Sequence, residues 1–491
     1  MNRPAGVAIG VILTAALCLP VTTGAAPESA GTAPVANDPR VIDAVRAWEV
    51  WVEYQAAING VPGVSTGIVH DQELIATNAF GFANPASAMV ATPETLYSIC
   101  SISKLFTSVA VMQLRDEGLL RLDDPIADHL PWFTIQDSNP GTGEIDIQGV
   151  LTHSAGLPRE SDHPYWTGPD FPFPTREEVI ERVSKQEELY PADAYYQYSN
   201  LGLTLAGEVV AATSGQPYAE YVQEHILDPL GLSDTSPDIP EAHRGGRLAT
   251  GYSRPARDGN RTAIDFYQVR GIAPAAGYAS TVEDLGRFAS WQFRLMENGG
   301  AEVLHATTLR EMQRVHFVSE NFQTHRGLGF SVSRRDGTTF VGHGGSCPGY
   351  RTQLSMSNDD KIAVVFMTNG HEVSPGSYVQ EVFDIVTPAI AEAVDNPGGG
   401  TRPDPQLEKY VGRYERPLAG ESYVLIVEGK LAVVSLPTGS PSLTKLEHLG
   451  DHTFRRIRDD GELGEAFTFE VDAEGNVTRM VRNTNYSIRV R

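Results

Sequence analysis

The sequence predicts an α+β protein of two domains, and three observations support this prediction. Apolar residues recur every three or four positions after Ser101 and stop near Gly118, which is the spacing of an amphipathic helix. Residues 68–82 follow the pattern of a β-hairpin. A linker-like segment, residues 395–405, precedes a region of short strand-like runs. The length of 491 residues, 41% of them hydrophobic, also favours a large core and more than one domain.

The first 39 residues are predicted to lie outside the globular part. Arg3 precedes an apolar run over residues 7–21, and small residues follow over 22–26. This is the pattern of a secretory signal peptide, expected at residues 1–25 and followed by a flexible tether at 26–39. The apolar run is too short to cross a bilayer as a transmembrane helix. No other stretch is long and apolar enough to form a stable membrane span. We therefore expect a periplasmic or secreted protein.

The predicted helix after Ser101 places two reactive groups on one face. Ser101 and Lys104 are three residues apart, so their side chains share that face. The hydroxyl lies at the positive end of the helix dipole, and a shielded lysine can be neutral enough to accept its proton. The same spacing recurs at Ser442 and Lys445, where no amphipathic helix follows, and we interpret that second occurrence as a surface turn.

Two later motifs extend this pattern. Tyr198 and Asn200 form the only Tyr-x-Asn match in the chain, although Asn200 could equally serve as the cap of the apolar helix that follows. His343 follows a strand-like run over residues 338–342 and precedes Gly344 and Gly345, which would let a strand edge approach a ligand closely. Together the three motifs, in this order, indicate a serine acyl-transfer site.

These motifs, with residues 123–131, 151–158, 276–281 and 327–330, resemble the serine β-lactamase and penicillin-binding-protein superfamily in its class C-like branch. The resemblance covers a catalytic domain expected at residues 40–394. It implies a β-lactamase/transpeptidase-like domain, in which an antiparallel sheet is flanked by helices and accompanied by an all-helical region.

The resemblance also implies roles for individual residues. Ser101 would be the acylated nucleophile, Lys104 and Tyr198 the proton-shuttling pair, and Asn200 the amide that orients the lysine and the substrate. His343 would stand where many members carry the lysine of Lys-Thr-Gly, a motif that this chain lacks. Because an imidazole changes its charge near neutral pH, we expect weaker recognition of the penicillin carboxylate.

Further expectations follow from the same resemblance. The oxyanion hole would be formed by the backbone N–H groups of Ser101 and Ser346, and Gly344 and Gly345 would contact the substrate. Some similar enzymes join the positions of Cys100 and Cys347 by a disulfide, and we expect the same bond here. The alternative is that these cysteines are two buried thiols that never bond.

An aromatic, proline-rich loop follows the 151–158 stretch. It covers residues 158–175, and within it Tyr165 and Trp166 are candidate substrate-binding residues. Loops of this kind often line binding clefts. The alternative is that its aromatic side chains cover the core.

The C-terminal region predicts a small antiparallel β-barrel or sandwich at residues 406–491. Strand-like runs occupy residues 423–427, 431–436 and 466–471, separated by turn signals. The segment 407–414 resembles the start of lipocalin-like modules attached to some relatives. Such a module could cover the cleft or mediate assembly, and the sequence leaves both roles open.

Several other functions are disfavoured. A formal net charge of −24 makes nucleic acid an improbable partner. No paired metal-ligand spacing occurs, so we expect no metal and no cofactor, and we interpret His153 as a structural hydrogen-bonding residue. Residues 63–67 match Gly-x-Ser-x-Gly, but the predicted hairpin follows them, whereas the nucleophile elbow of α/β-hydrolases requires a helix after the serine.

The expected function is that of a secreted serine hydrolase for peptides, amides or esters, with D-amino-acid or cell-wall-type peptides favoured. A β-lactamase or carboxylesterase on the same fold is the alternative, and a non-catalytic penicillin-binding-like sensor is a third interpretation. The expected partner is a small-molecule or peptide substrate. The sequence gives no prediction of oligomeric state.

Overall fold

The computed structural model describes residues 35–141, 143–371, 373–401 and 404–490. The predicted signal peptide and residues 26–34 of the predicted tether lie outside the described residues. The tether prediction extends too far, because a 3-10 turn forms at Val35–Asn37 and the first helix begins at Pro39. The carboxylate of Asp38 accepts a hydrogen bond from the Arg40 N–H and so caps this helix.

The described residues contain these α-helices in chain order: α1 (Pro39–Ile58), α2 (Ser103–Asp116), α3 (Ile126–His129), α4 (Ile147–Thr152), α5 (Arg176–Val183), α6 (Asn200–Ser214), α7 (Tyr218–Val222), α8 (Asp228–Leu230), α9 (Ala273–Ala276), α10 (Val282–Asn298), α11 (Ala306–Met312) and α12 (Pro375–Asp395).

The strands before residue 370 are β1 (Gly63–His70), β2 (Glu73–Asn84), β3 (Met89–Val90), β4 (Tyr97–Ser98), β5 (Ala279–Ser280), β6 (Ala301–Glu302), β7 (Leu304–His305), β8 (Phe317–Val318), β9 (His325–Arg326), β10 (Ser331–Arg335), β11 (Thr338–Cys347), β12 (Tyr350–Ser357) and β13 (Ile362–Thr368). In the described part of the chain, nine of them form one antiparallel sheet in the order β3-β2-β1-β13-β12-β11-β10-β9-β8. The predicted hairpin is confirmed as β1 and β2.

Both faces of the central sheet are covered. Alternate residues of β13 point to opposite sides, as the two-residue period of a strand requires. Val365 and Met367 belong to one hydrophobic core with α2 and α10, whereas Val364 and Phe366 belong to another core with α1 and α12. The sheet therefore separates two cores, and the α+β prediction is confirmed.

The core with α2 also contains the helical region. Helices α4 and α9 contact α6, and α2 packs against both α6 and α9. Within α2 every residue from Ser103 to Gln113 is buried, and Gly118 follows the helix with a φ of 74°. The ring of Phe106 stacks on that of Phe288 in α10 at a centroid distance of 4.5 Å. The amphipathic helix predicted after Ser101 is thus a central core helix.

The C-terminal strands are β14 (Gly412–Arg416), β15 (Gly420–Val427), β16 (Lys430–Leu436), β17 (Leu443–Gly450), β18 (Thr453–Ile457), β19 (Leu463–Val471), β20 (Val477–Arg482) and β21 (Asn485–Val490). Among the described residues they close into one eight-stranded antiparallel barrel, in which β14 pairs with β21. Between the domains, α12 ends at Asp395 and a 3-10 turn begins at Pro405.

The barrel is attached to the back of the sheet. The side chains of Leu425 and Val434 join the core formed with α1 and α12. The indole of Trp51 and the amide of Gln55 each donate to the carbonyl of Thr438, at 3.1 and 2.9 Å. Because α2 lies on the opposite side of the sheet, the barrel of the same chain does not cover the region of Ser101. None of the helices in the described ranges has the length and apolar character needed to cross a bilayer.

Candidate active site

Ser101 lies in a 3-10 turn, Cys100–Ile102, that leads directly into α2. Cys100 adopts a left-handed conformation with a φ of 51°. A disulfide joins it to Cys347 at the end of β11, with a Cα–Cα distance of 5.7 Å, as expected. The turn that carries Ser101 is therefore attached covalently to the strand that carries His343.

Lys104 occupies the first turn of α2, and its side chain is fully buried. Its Nζ lies 3.2 Å from the Oγ of Ser101. The same nitrogen lies 2.8 Å from the Oδ1 of Asn200 and 2.7 Å from the carbonyl oxygen of Ala275. The lysine is thus held by one oxygen of the preceding turn and by two oxygens that are 96 and 171 residues away in the sequence.

Burial lowers the pKa of Lys104 well below its ordinary value, because the charged form loses its hydration. The charges of Arg159 and Arg326 lower it further, whereas the charge of Glu160 opposes the shift. A neutral amine has two hydrogens and one lone pair. The oxygens of Asn200 and Ala275 can only accept, so they take both hydrogens and leave the lone pair for the hydroxyl of Ser101.

Tyr198 lies over the same group. The Nζ of Lys104 is 4.9 Å from the centre of its ring, and the guanidinium of Arg159 is also 4.9 Å from that centre. Burial raises the pKa of Tyr198 to about 12, although its hydrogen bond with Ser101 partly offsets this shift. The phenol therefore keeps its proton at neutral pH.

The segment that carries Tyr198 is fixed by His153, which ends α4 in a left-handed conformation. The Nδ1 of His153 accepts a hydrogen bond of 3.1 Å from the backbone N–H of Ser199, and its ring lies 4.3 Å from that of Tyr198. The expectation of a structural hydrogen-bonding histidine is confirmed. The cap of α6 is Ser199, whose Oγ accepts from the Gly202 N–H, and not Asn200.

Asn200 connects the lysine to a carboxylate. Its Nδ2 donates to both oxygens of Glu160, at 2.8 and 3.1 Å, while its Oδ1 accepts from Lys104. Tyr165 donates its hydroxyl hydrogen to the same carboxylate. Tyr165, which we predicted to contact substrate, has a fully buried side chain that packs in the core.

His343 is also buried, in the middle of β11. Burial lowers its pKa to about 3, and the charges of Lys104 and Arg326 add to this shift. The expectation of a charge that changes near neutral pH is therefore wrong, and the imidazole is neutral there. Its Nδ1 donates to the carbonyl of Gly344 at 2.7 Å, so the lone pair is on Nε2, which has no hydrogen-bond partner among the described residues.

Packing against the backbone requires the glycine at position 345 of β11, whereas at Gly344 the nearest atom belongs to a flexible side chain. A Cβ on Gly345 would lie 2.3 Å from the carbonyl oxygen of Ile99 and 2.1 Å from the Oγ1 of Thr352. A Cβ on Gly344 would lie 2.8 Å from the side-chain oxygen of Gln353. The absence of side chains therefore lets β11 lie directly against the residue that precedes the Cys100–Ile102 turn. Ser346 is exposed and pairs with Arg351 in β12.

The loop at residues 158–175 places some of its aromatic side chains in the core and others beside a cavity that the proposed catalytic residues do not line. Phe173 is buried in the core, and Trp166 is partly buried against it. Phe171 lines a cavity of about 570 Å³ together with Phe266 and Arg270. The aromatic side chains thus fill the core on one side and border open space on the other.

The competing motifs have structural roles. Ser65 of the Gly-x-Ser-x-Gly match is fully buried within β1, where its hydroxyl contacts the carbonyl of Thr92 and the hydroxyl of Tyr97. It is not part of a strand–helix turn. Lys445 lies in β17 of the barrel and forms an exposed ion pair of 2.7 Å with Glu428.

Sequence reasoning missed three contributors to the site, namely Glu160, the carbonyl of Ala275, and Arg326. Each lies close to a stretch that carried the resemblance: Glu160 comes two residues after 151–158, Ala275 directly precedes 276–281, and Arg326 directly precedes 327–330. The residues that flank those stretches were therefore the sequence signal that could have identified these three contributors.

Comparison with known proteins agrees with this geometry. The model of the Beta-lactamase family matches residues 49–380, which is more than half of the chain. The chain belongs to the β-lactamase family. A second model, for a domain of unknown function called DUF3471, matches residues 396–490 and therefore the barrel.

The chain is also similar to individual proteins, over different shares of its length. Beta-lactamase-like protein 2 of Dictyostelium discoideum is 26% identical over 82% of this chain and 75% of its own length. The D-alanyl-D-alanine-carboxypeptidase/endopeptidase AmpH of Escherichia coli is 29% identical over 36% of this chain and 46% of its own. The octameric penicillin-binding protein homologue from Pyrococcus abyssi shares the fold over 91% of this chain and 100% of its own, with a TM-score of 0.61 and 23% identity.

Proposed function

We propose that this protein is a serine hydrolase that forms an acyl-enzyme at Ser101, acting on peptides, amides or esters in the periplasm or outside the cell. The observation that carries the proposal is the position of Lys104. Its buried amine is 3.2 Å from the Ser101 Oγ, and two carbonyl acceptors leave its lone pair for that hydroxyl. The proposed location rests on the signal-peptide pattern of residues 1–25.

In the proposed acylation step, Lys104 accepts the proton of Ser101 while the Oγ forms a bond to the substrate carbonyl carbon. The carbonyl oxygen becomes an oxyanion that the N–H groups of Ser101 and Ser346 would bind, and the loss of one such donor commonly costs about 2.7–4 kcal/mol. The bond to the leaving group then breaks as that group takes a proton. Water attacks the resulting ester and frees the acyl product and the serine.

Tyr198 supports the second proton transfer. Because its phenol stays protonated, with a pKa of about 12, it can pass its proton to the leaving group while it receives another from Lys104. The hydrogen bond of the phenol with Ser101 supports this path, because it places the phenol beside the reacting hydroxyl.

The neutral state of His343 bears on the choice of substrate. Relatives with Lys-Thr-Gly present a fixed cation at this position, whereas this chain presents an uncharged imidazole with an acceptor nitrogen. This supports amides, esters and internal peptide bonds over substrates held by a carboxylate. We place D-amino-acid or cell-wall-type peptides first, in agreement with the endopeptidase activity in the name of AmpH, then esters, with β-lactams as slower substrates.

A kinetic comparison tests this proposal. Nitrocefin, p-nitrophenyl esters and D-amino-acid amides are assayed side by side with the wild-type protein and the Ser101→Ala variant. We expect the amides to have the highest kcat/KM and the variant to lose every activity by about 10³-fold or more. Activity that survives in the variant would contradict the proposal, and a wild-type protein inactive on all three classes would favour the non-catalytic sensor.

A further inference from the structure

Glu160 lies one contact beyond the proposed catalytic residues and does not take part in the mechanism above. Its two oxygens accept both hydrogen bonds of the Asn200 amide nitrogen, at 2.8 and 3.1 Å. Its side chain is only 20% exposed. A carboxylate in this position can accept hydrogen bonds but cannot donate one while it is ionised.

Two further groups keep the carboxylate in place. The hydroxyl of Tyr165, a residue with no exposed surface, donates to one oxygen. The Nε of Arg159 lies 3.1 Å from the other. The position of Glu160 is thus determined by a buried phenol and a guanidinium as well as by Asn200.

The orientation of the Asn200 amide decides how the lysine is used. With Oδ1 toward Lys104, the amide takes a hydrogen from the amine and leaves the lone pair for Ser101. With the amide reversed, Nδ2 would donate to the amine and would engage that lone pair itself. The reversed amide would also turn its oxygen toward the carboxylate, which is unfavourable because neither group has a hydrogen to share.

We propose that Glu160 is a positioning residue that selects one orientation of the Asn200 amide and thereby directs the lone pair of Lys104 at Ser101. This inference rests on the proposed acyl-enzyme chemistry. Tyr165, placed among substrate-binding residues by its sequence context, belongs instead to the support of this carboxylate.

The negative charge of Glu160 also affects the pKa of Lys104, in a known direction. The titratable and charged groups that act on Lys104 or lie beside it are Glu160, Arg159, Arg326, Tyr198, His153 and His343. Among them the Glu160 carboxylate raises the pKa of Lys104, against the larger lowering caused by burial. Removing this negative charge therefore lowers the pKa of the lysine further, and the neutral amine then persists to lower pH.

The test is the rate of Ser101 labelling by a fluorophosphonate as a function of pH, in the wild-type protein and in Glu160→Gln. The glutamine keeps the size of the side chain but can present either its oxygen or its nitrogen to Asn200. We expect the plateau rate to fall by about 10- to 100-fold, which is the cost of a misplaced catalytic group. We also expect the acid limb of the profile to move to lower pH.

Two further variants separate positioning from a purely structural role. Glu160→Asp keeps the negative charge, but its shorter side chain moves the carboxylate away from Asn200. The plateau rate of labelling should therefore fall, while the acid limb of the profile should not shift to lower pH. Glu181→Gln is the matched control, because Glu181 pairs with Lys185 on the exposed surface of α5. It should retain both the wild-type rate and the wild-type profile.

The outcomes are distinct. Wild-type rates and an unmoved acid limb in both Glu160 variants, with thermal melting showing them folded, would overturn the inference while leaving the proposed function intact. A lower labelling rate in Glu160→Gln without a shift of the acid limb of the pH profile would show that Glu160 has only a structural role. That result would also overturn the inference. Absence of labelling in the wild-type protein would instead refute the acyl-enzyme chemistry. If Glu160→Gln does not fold, a wild-type rate in Glu160→Asp is enough to reject the inference.

Discussion

The side chain of Lys104 combines full burial with three oxygen neighbours, and this combination gives it a chemistry that an exposed lysine lacks. Burial removes the hydration that stabilises an ammonium group, so the pKa is lowered well below its ordinary value. The contacts with Ser101, Asn200 and Ala275 then fix where the lone pair lies. Burial thus favours the neutral amine, and the three contacts direct its lone pair at Ser101.

The chain contains a matched pair of lysines for testing this account. Lys104→Met removes the proposed base, and we expect kcat/KM to fall by about 10²- to 10⁴-fold, which is the usual contribution of a positioned proton acceptor. Lys445→Met removes the lysine of the second Ser-x-x-Lys match, which is in an exposed ion pair on the barrel. Its kcat/KM should stay within about twofold of wild type because such pairs contribute little.

Steady-state kinetics on the best substrate of the panel give this measurement. An equal loss of kcat/KM in the two lysine variants would show that the burial of Lys104 has no special role. If both lysine variants kept the kcat/KM of the wild type, another group would have to serve as the base.

At the residue scale the sequence could predict only what lies close together or carries a distinctive pattern. Ser101 and Lys104 are one helical turn apart, and Tyr198 and Asn200 form a unique match. The Ala275 carbonyl is 171 residues from Lys104. Because any residue type has a backbone oxygen, only the position of Ala275 beside the 276–281 stretch pointed to it. The protonation state of His343 could not be predicted from the sequence either, because its pKa depends on burial and on cations from other elements.

At the scale of elements, the turn at Cys100–Ile102 and the strand β11 behave as one unit. The disulfide joins them across a sequence separation of 247 residues, and Gly345 allows the strand to lie against Ile99. Ser101 and Ser346, whose N–H groups are proposed to bind the oxyanion, are each adjacent to one of the bonded cysteines. The bond should therefore contribute to both stability and catalysis.

Replacing Cys347 by serine tests this coupling. By the chain-entropy model, a loop of this length contributes about 5 kcal/mol to the free energy of unfolding, an upper value for a native disulfide. We expect Cys347→Ser to melt at a clearly lower temperature and to be labelled more slowly at Ser101. Calorimetry and fluorophosphonate labelling provide the two readouts.

Reductant supplies the control for this variant. It should lower the melting temperature of the wild-type protein and leave that of Cys347→Ser unchanged. Identical melting and labelling of the variant and the oxidised wild type would show that the bond has no such role.

Across the whole molecule, the sheet separates the proposed chemistry from the barrel. The core with α2 and α10 contains the turn of Ser101, whereas the core with α1 and α12 receives Leu425 from the barrel. The sequence predicted three of the eight barrel strands, β15, β16 and β19, to within three residues, since turn signals bound those runs. Their docking on α1 was not predictable, because an apolar barrel face does not specify which helix will cover it.

Two leucines of the barrel test this arrangement. Leu425→Asp places a carboxylate at the buried interface, where Leu425 is only 2% exposed, and should lower the free energy of unfolding by about 3 kcal/mol or more. Leu418→Asp is the control, because that side chain is fully exposed, and should change the stability by less than about 0.5 kcal/mol. Denaturant unfolding measures both.

The rate of Ser101 labelling in folded Leu425→Asp adds a second readout. It should equal that of the wild type, since the barrel lies across the sheet from Ser101. A large loss of labelling in a folded variant would show that the barrel acts on the active site.

Intact-mass spectrometry after exposure to a fluorophosphonate tests the central claim most directly. The proposed chemistry predicts a single covalent adduct on the wild-type protein and on Ser442→Ala, mapped by peptide digestion to Ser101, and no adduct on Ser101→Ala. An adduct that persists in Ser101→Ala, or a wild-type protein that acquires none, would contradict it.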